Sequence, residues 1–270
     1  MRPILALAAL AANLSFAQSN PSWSRPYPAH KIFGNLYYVG TEELACFLLT
    51  SPEGHILINT GLEDSAPLLR DSIRSVGARL EDVKILLTMQ AHFDHVGALA
   101  EVQRISGAKV MIAEADARIV EDGGKSDPHF GKGSWFKPVK VDRRLKHGDK
   151  ITLGNVELTV VQTPGHSRGS VSYTLNLNEG GVARKAAIVN MMTLVMPLKL
   201  PSYPTIAADF ETSFARQKQL QPEIWVAAHA SQYDMQRKHE AGSFVDSAGY
   251  KQKVAEMEEA FRTERRKQGI

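Results

Sequence analysis

The segment Gln90-Ala91-His92-Phe93-Asp94-His95 constrains this chain more than any other. An amide oxygen, two imidazoles and a carboxylate fall within six positions, a donor set that suits zinc, which accepts nitrogen and oxygen ligands alike. The apolar run Val83-Lys84-Ile85-Leu86-Leu87-Thr88 just upstream reads as a buried strand, and Val96-Gly97-Ala98-Leu99-Ala100 downstream begins a helical pattern. The donors therefore sit on a strand-to-helix loop. Irregular backbone there can aim several side chains at one point, whereas a regular strand or helix spreads them over its faces. A polar turn whose histidines cap the next helix would account for one histidine, but not for this cluster.

Two later strand exits repeat the pattern. The apolar stretch 156–161 runs into Thr163-Pro164-Gly165-His166-Ser167-Arg168-Gly169-Ser170, and Ile224-Trp225-Val226-Ala227-Ala228 runs into His229-Ala230-Ser231-Gln232. If the sheets align, three loops bring Gln90, His92, Asp94, His95, His166 and His229 to one edge. Six donors suffice for two zinc ions, each with three protein ligands and an open position for water, which is the pattern of a catalytic site. Of the remaining histidines, His30, His55, His147 and His239 are expected at the surface, and His129 is expected in solvent on a long loop.

The rest of the pattern is mixed α and β. Leu36-Tyr37-Tyr38-Val39, Cys46-Phe47-Leu48-Leu49 and His55-Ile56-Leu57-Ile58 read as an antiparallel meander broken by turn residues. Leu69, Ile73 and Val76 then recur at helical spacing, with Gly77 as a C-cap. Strand 83–88, a helix to about Ser106, strand 109–112 and a short helix over 113–121 follow in β-α-β-α rhythm. Residues 122–138 are Gly-rich and polar and read as a long loop whose Trp135 and Phe136 are candidate covers for a substrate. Its Gly124-Lys125-Ser126 is not a phosphate loop, because Ile119 stands where that motif needs glycine. Strands over 150–153, 156–161, 170–177, 186–189 and 224–228 and helices over 210–220 and 250–266 complete the second half. Two strand-rich halves, each closed by helices, predict two sheets packed face to face with helices outside.

Composition limits the alternatives. With 270 residues, 43% of them hydrophobic, the chain can bury a full core in one domain, and 32 basic against 29 acidic residues give no nucleic-acid signature. Arg2, an apolar run from Ile4 to Ala12 and Ser15-Phe16-Ala17 before Gln18 match a secretory signal over residues 1–17, which leaves a domain over 18–270 in a bacterial periplasm. No later stretch is apolar enough to span a membrane. Cys46 is the only cysteine, so no intrachain disulfide forms, and its apolar neighbours predict a packed thiol.

On these motifs the chain resembles the metallo-β-lactamase superfamily, whose fold is an αββα sandwich (α/β, or α+β), and within it the third subclass (B-three) of class B enzymes. The likeness is greatest to the GOB-type variant, which has Gln where most relatives carry the first His of His-x-His-x-Asp-His; Gln90 matches that position. Leu57 to Gly61, Gly123 to Asp127, Phe136 to Val139 and Ile224 to Gln232 extend the similarity. The resemblance implies that one zinc takes Gln90, His92 and His166, and a second takes Asp94, His95 and His229. Most hydrolases of the superfamily place a metal-bridging Asp, and other lactamase subclasses a Cys, where this chain has Asn190. That absence fits the third-subclass arrangement and disfavours lactonase and glyoxalase-like thioesterase readings. Asn59 replaces a commonly acidic residue that supports the site.

The expected activity is hydrolysis of the amide bond of β-lactam antibiotics, a resistance function, by a zinc-bound hydroxide, because coordination lowers the pKa of water to about 7. Asp94 is the expected catalytic carboxylate, and Thr193, Ser231 and Arg168 are candidate substrate contacts. The expected partner is a small anionic β-lactam met by a monomer, with neither nucleic acid nor membrane involved. Zinc occupancy at the Gln90 position is expected to be partial, since a carboxamide is a poorer ligand than imidazole. The rival readings are a zinc hydrolase of another ester, thioester or lactone, and a zinc-binding protein with little activity.

Overall fold

Period-two burial along the central strands decides the layering. In the computed structural model, which describes residues 20–270, the first sheet contains β1 (His30–Phe33), β2 (Leu36–Tyr38), β3 (Phe47–Ser51) and β4 (Gly54–Ile58). Helix α1 (Ala66–Ser75), β5 (Val83–Leu87), the single turn α2 (Phe93–Val96), α3 (Leu99–Ser106), β6 (Lys109–Ala113), α4 (Glu114–Asp122) and β7 (Arg143–Leu145) follow. The sheet runs in the order β1 to β7, antiparallel from β1 to β4 and parallel from β4 to β7. Phe47, Leu49, Ile56, Ile58, Ile85 and Leu87 enter the core shared with the second sheet, while the alternate residues Leu48, Leu57 and Leu86 pack with Leu69, Ile73, Leu99 and Val102 of α1 and α3.

The second sheet is built from β8 (Lys150–Leu153), β9 (Val156–Gln162), β10 (Val171–Glu179), β11 (Val182–Val189) and, after α5 (Ile206–Leu220), β12 (Ile224–Ala227). It runs β12-β11-β10-β9-β8, with only the β11–β12 pair parallel. Helices α6 (Met235–Glu240) and α7 (Ser247–Lys267) end the chain. Phe210 of α5 stacks on Phe261 of α7 at 5.3 Å, and Tyr250 of α7 meets Trp225 of β12 at 5.7 Å. Burial of each such side chain contributes roughly 1.5–3 kcal/mol. Two mixed sheets flanked by helices form the αββα sandwich that the sequence predicts, and no helix among the described residues is long and apolar enough to cross a membrane. The export signal expected over residues 1–17 lies outside the described residues.

Hydrogen bonds between the halves align the strand exits. Val171 N donates to the Met89 carbonyl at 2.8 Å and the Tyr173 hydroxyl to that of Thr88 at 2.8 Å, which ties the β5 exit to β10. Ala45 N donates to the Ala228 carbonyl at 3.1 Å and Ala230 N to that of Glu43 at 2.8 Å, which ties the β12 exit to the loop before β3.

Several elements differ from the sequence expectation. β1 and β7 escape a pattern search because His30, Lys31, Arg143 and Arg144 interrupt their apolar positions, and α6 is a six-residue helix rich in charge. His30 is buried and not at the surface: its ring stacks on Tyr38 at 5.2 Å and lies 3.8 Å from that of His239, and burial pushes its pKa down to about 4. The stretch 122–138 holds only a 3-10 turn, Lys132–Ser134, and is pinned where Phe136 N donates to the Gly123 carbonyl at 3.1 Å. Gly123 has φ +70, and a Cβ there would collide with the Phe136 carbonyl oxygen, so no other residue fits without a shift. Cys46 is buried as expected, its thiol pushed up to about 12 by desolvation.

Candidate metal centre

The β5 exit turns into α2 with His92 in extended conformation as its N-cap, and this puts Asp94 and His95 on the first turn of that helix. Thr60 fixes the turn, its N–H and hydroxyl both donating to the His95 carbonyl at 2.8 and 3.2 Å. From the far end of the second sheet, His229 reaches the same point. Its Nε2 lies 3.5 Å from Asp94 Oδ2, and His95 Nε2 lies 3.2 Å from that oxygen. These three residues offer donor atoms all within 4.8 Å of one another.

The adjoining set is looser. The His92 and His166 rings are 4.9 Å apart between centroids, and Gln90 is buried on the same loop as His92. His166 Nδ1 lies 2.9 Å from both the carbonyl and the hydroxyl oxygen of Thr193, so Nε2 is its free nitrogen. Gln90 Oε1, His92 Nε2 and both ring nitrogens of His95 are buried without a hydrogen-bond partner. Leaving a buried polar group unpaired costs about 1–3 kcal/mol. A divalent cation that prefers nitrogen and oxygen donors would satisfy such groups, so these residues fit zinc.

Electrostatics keep His92, His166 and Asp94 in the protonation state that ligation needs. Burial, helped by the nearby His166 and His129, pushes the His92 pKa well down, and burial lowers His166 to about 4 against the opposing Thr193 carbonyl. Burial would raise Asp94, but His95 and His229 overcome it and hold its carboxyl far below the ordinary range. His229 moves up: burial lowers it, and the Glu43 and Asp94 carboxylates more than compensate.

Outer partners orient two of the imidazoles, His229 and, through the Thr193 carbonyl, His166, as carboxylates and carbonyls do around metal-bound histidines. Glu43 Oε1 faces His229 Nδ1 at 3.6 Å and is itself held by the Ser231 hydroxyl at 2.5 Å and, through Oε2, by Ser231 N at 3.2 Å. Asp127 is placed differently: its Oδ2 faces His92 Nε2, the nitrogen left without a partner, at 3.9 Å, and its other oxygen lies 3.0 Å from His129 Nδ1. His92, Asp127 and His129 together offer donor atoms within 4.8 Å of one another. The His129 side chain is only 2% exposed, so it is packed beside His92 and not solvated on the loop as the sequence predicts. Asn59, at φ +64, accepts from Met89 N at 3.0 Å and donates to the Ala45 carbonyl at 3.1 Å, so it braces the β5 exit with no charge.

The centre floors a cavity of about 650 Å³ lined by His92, Asp94, His166 and His229, with Trp23, Phe93, Phe130 and Val195 as apolar walls and Glu43, Thr193 and Ser231 at polar positions. That size and mixture suit a small molecule. Thr193 and Ser231 therefore reach the cavity, although both also hold site residues. Arg168 does not line it: the guanidinium donates to the Ser202 carbonyl and lies 5.0 Å from the Tyr203 ring. Nor do Trp135 and Phe136, since Trp135 is outside this lining and Phe136 is buried in the core. Phe130 is the loop aromatic that does. Sequence reasoning missed Glu43, Asp127 and Trp23, and only the Asp-x-His spacing of Asp127 and His129 held a signal for any of them.

Fold and site together define a metal-dependent hydrolase of the αββα class. The description "Metallo-beta-lactamase superfamily" matches residues 42–179, just over half of the chain, and the chain belongs to that superfamily. Among solved structures it is similar to the class B3 di-zinc metallo-β-lactamase LRA-12 from an Alaskan soil metagenome, at 42% identity over 91% of this chain and 97% of that one, TM-score 0.88. It is also similar to the metallo-β-lactamase GOB-18 from Elizabethkingia meningoseptica, at 38% identity over 92% of this chain and 96% of that one, TM-score 0.88. A hydroxyacylglutathione hydrolase of Bradyrhizobium sp. (strain BTAi1 / ATCC BAA-1182) matches at 26% identity over 49% of this chain, which spans only 44% of that enzyme.

Proposed function

We propose that this protein is a zinc-dependent β-lactamase, with one zinc held by Gln90, His92 and His166 and a second by Asp94, His95 and His229. The observation that carries the reading is the tight Asp94, His95 and His229 set beside the His92–His166 pair on the floor of a cavity with apolar walls. Likeness to class B3 enzymes over nearly their whole length supports the β-lactam substrate over the thioester suggested by a match to less than half of a hydroxyacylglutathione hydrolase. Bound zinc would lower the pKa of water towards 7 and polarise the substrate carbonyl.

The chain's own residues divide the remaining work. Hydrolysis adds a hydroxyl to the lactam carbon, breaks the C–N bond and delivers a proton to the nitrogen. Asp94, ionised and facing the cavity, is placed to carry that proton. Trp23, Phe93, Phe130 and Val195 receive the apolar side chain of the antibiotic and exclude water, and Ser231 offers a rim hydroxyl. Glu43 and Thr193 hold His229 and His166 in register, and Asp127 sets a negative charge beside His92.

Purified protein given a chromogenic cephalosporin and a lactoyl thioester tests this directly. Cephalosporin turnover that a chelator removes and zinc restores is the expected result. Thioester cleavage without cephalosporin turnover, at full zinc loading, favours the rival hydrolase, and turnover of neither favours a binding protein. Export through residues 1–17 to the periplasm, a single domain over 18–270 and a monomeric state belong to the same proposal. The N-terminal mass of the exported protein, limited proteolysis and light scattering check them.

A further inference from the structure

Asp116, on the first turn of α4, is fully buried and hydrogen-bonds to the side chain of none of the proposed ligands, yet its carboxylate joins the two loops beside them. Oδ2 accepts from Ala91 N at 3.0 Å and from the Ser167 hydroxyl at 2.7 Å, and Oδ1 accepts from Gly169 N at 2.7 Å. Ala91 lies between Gln90 and His92, and Ser167 follows His166. One carboxylate oxygen thus bonds to the chain immediately beside all three donors of the first zinc. The second set is held differently, through Thr60 on the His95 carbonyl and Glu43 on the His229 loop.

Gly169 shows how close the clamp sits. A Cβ there would fall 2.5 Å from the Asp116 side chain, so this position is reserved for a residue without one. All three groups facing the carboxylate are donors, and an acceptor-only ionised carboxylate matches them where an amide of the same shape cannot. The Ser167 and Ser170 hydroxyls lie 2.9 Å apart and extend the network into the His166 loop.

We propose that Asp116 is a positioning residue for the first zinc alone: it fixes the distance between the Gln90–His92 loop and the His166 loop, and so sets the affinity of that site without setting that of the second. This rests on the zinc reading above. Outer partners of metal ligands typically contribute 10–100-fold in metal affinity.

The test measures zinc affinity by competition with a chelating dye, and the visible spectrum after cobalt replacement, in the whole protein and in Asp116→Asn and Ser167→Ala. Asp116→Asn should weaken one site about 10–100-fold, change the cobalt spectrum of that site and leave the other site within about twofold. Ser167→Ala keeps the carboxylate and both amide donors, and should show a smaller loss confined to the same site; it decides the question if Asp116→Asn does not fold. Equal weakening of both sites, or no change in either variant, overturns the proposal. If the unaltered protein binds no zinc, the zinc reading itself fails, an outcome distinct from variants that match an unaltered protein with two sites.

Discussion

The two halves of the centre solve one problem with different charge. Asp94, His95 and His229 form a tight set with its own carboxylate, which lies 3.2 and 3.5 Å from the two imidazole nitrogens. Gln90, His92 and His166 contain no carboxylate; Asp127 Oδ2 stands 3.9 Å from His92 Nε2, and Asp116 lies behind the two loops. A cation gains more from a carboxylate in direct contact than from one farther away, because Coulomb energy falls with distance. On the zinc assignment proposed above, the neutral Gln90 is therefore expected to leave the first half with the lower affinity, and the alignment of its loops to matter correspondingly more.

The largest expected effect comes from breaking the charged half. Asp94→Asn keeps the shape but removes the only carboxylate in direct contact, so it should abolish tight zinc binding at the second site and lower β-lactam turnover by more than the roughly 100-fold that losing an outer partner costs. Dialysis with zinc analysis and initial rates report both effects. Next, Glu43→Gln should weaken the second site about 10–100-fold and leave the first unchanged, since Glu43 faces His229 and none of His92, His166 or Gln90. Equal losses at both sites would erase the distinction between the halves.

Gln90→His acts in the other direction. An imidazole in place of the carboxamide should tighten the first site about tenfold and raise bound zinc at limiting metal. Unchanged stoichiometry and affinity would mean that Gln90 is not what sets the difference.

The smallest effect is a control outside both halves. His30 titrates near 4 in the folded protein, because burial disfavours its charged form, against about 6.5 unfolded. Between these values the unfolded chain binds more protons, so the contribution of His30 is present in full above pH 6.5 and is lost as pH falls through 4. His30→Gln should flatten the pH dependence of denaturant unfolding across that window while zinc affinity stays unchanged.

What could be read from the sequence was local, and what could not depended on folding. Gln90, His92, Asp94 and His95 are contiguous, and His166 and His229 each follow an apolar run, so the donor set and its strand-exit placement stood in the sequence. The apolar runs Phe47-Leu48-Leu49 and Ile85-Leu86-Leu87 likewise stood out as strands, and in the fold successive residues of each enter the two different cores. Asp116 gave no sign of its role, because it sits in an ordinary short helix and its partners are 25, 51 and 53 residues away. Glu43 is 188 residues from Ser231 and reads as a turn residue. His30 and His129 depart from expectation for one reason, since exposure of an isolated histidine depends on what packs over it. Arg168 lies close to a ligand in sequence, but its guanidinium is taken up by Ser202 and Tyr203.

The most direct test titrates zinc into metal-depleted protein while following both bound metal and cleavage of a chromogenic cephalosporin. Two unequal binding steps are predicted, the tighter one absent in Asp94→Asn and the weaker one strengthened in Gln90→His, with turnover appearing as zinc binds and vanishing with chelator. Two equal steps unaffected by either change, or no cephalosporin cleavage at any zinc loading, would contradict the two-zinc lactamase reading.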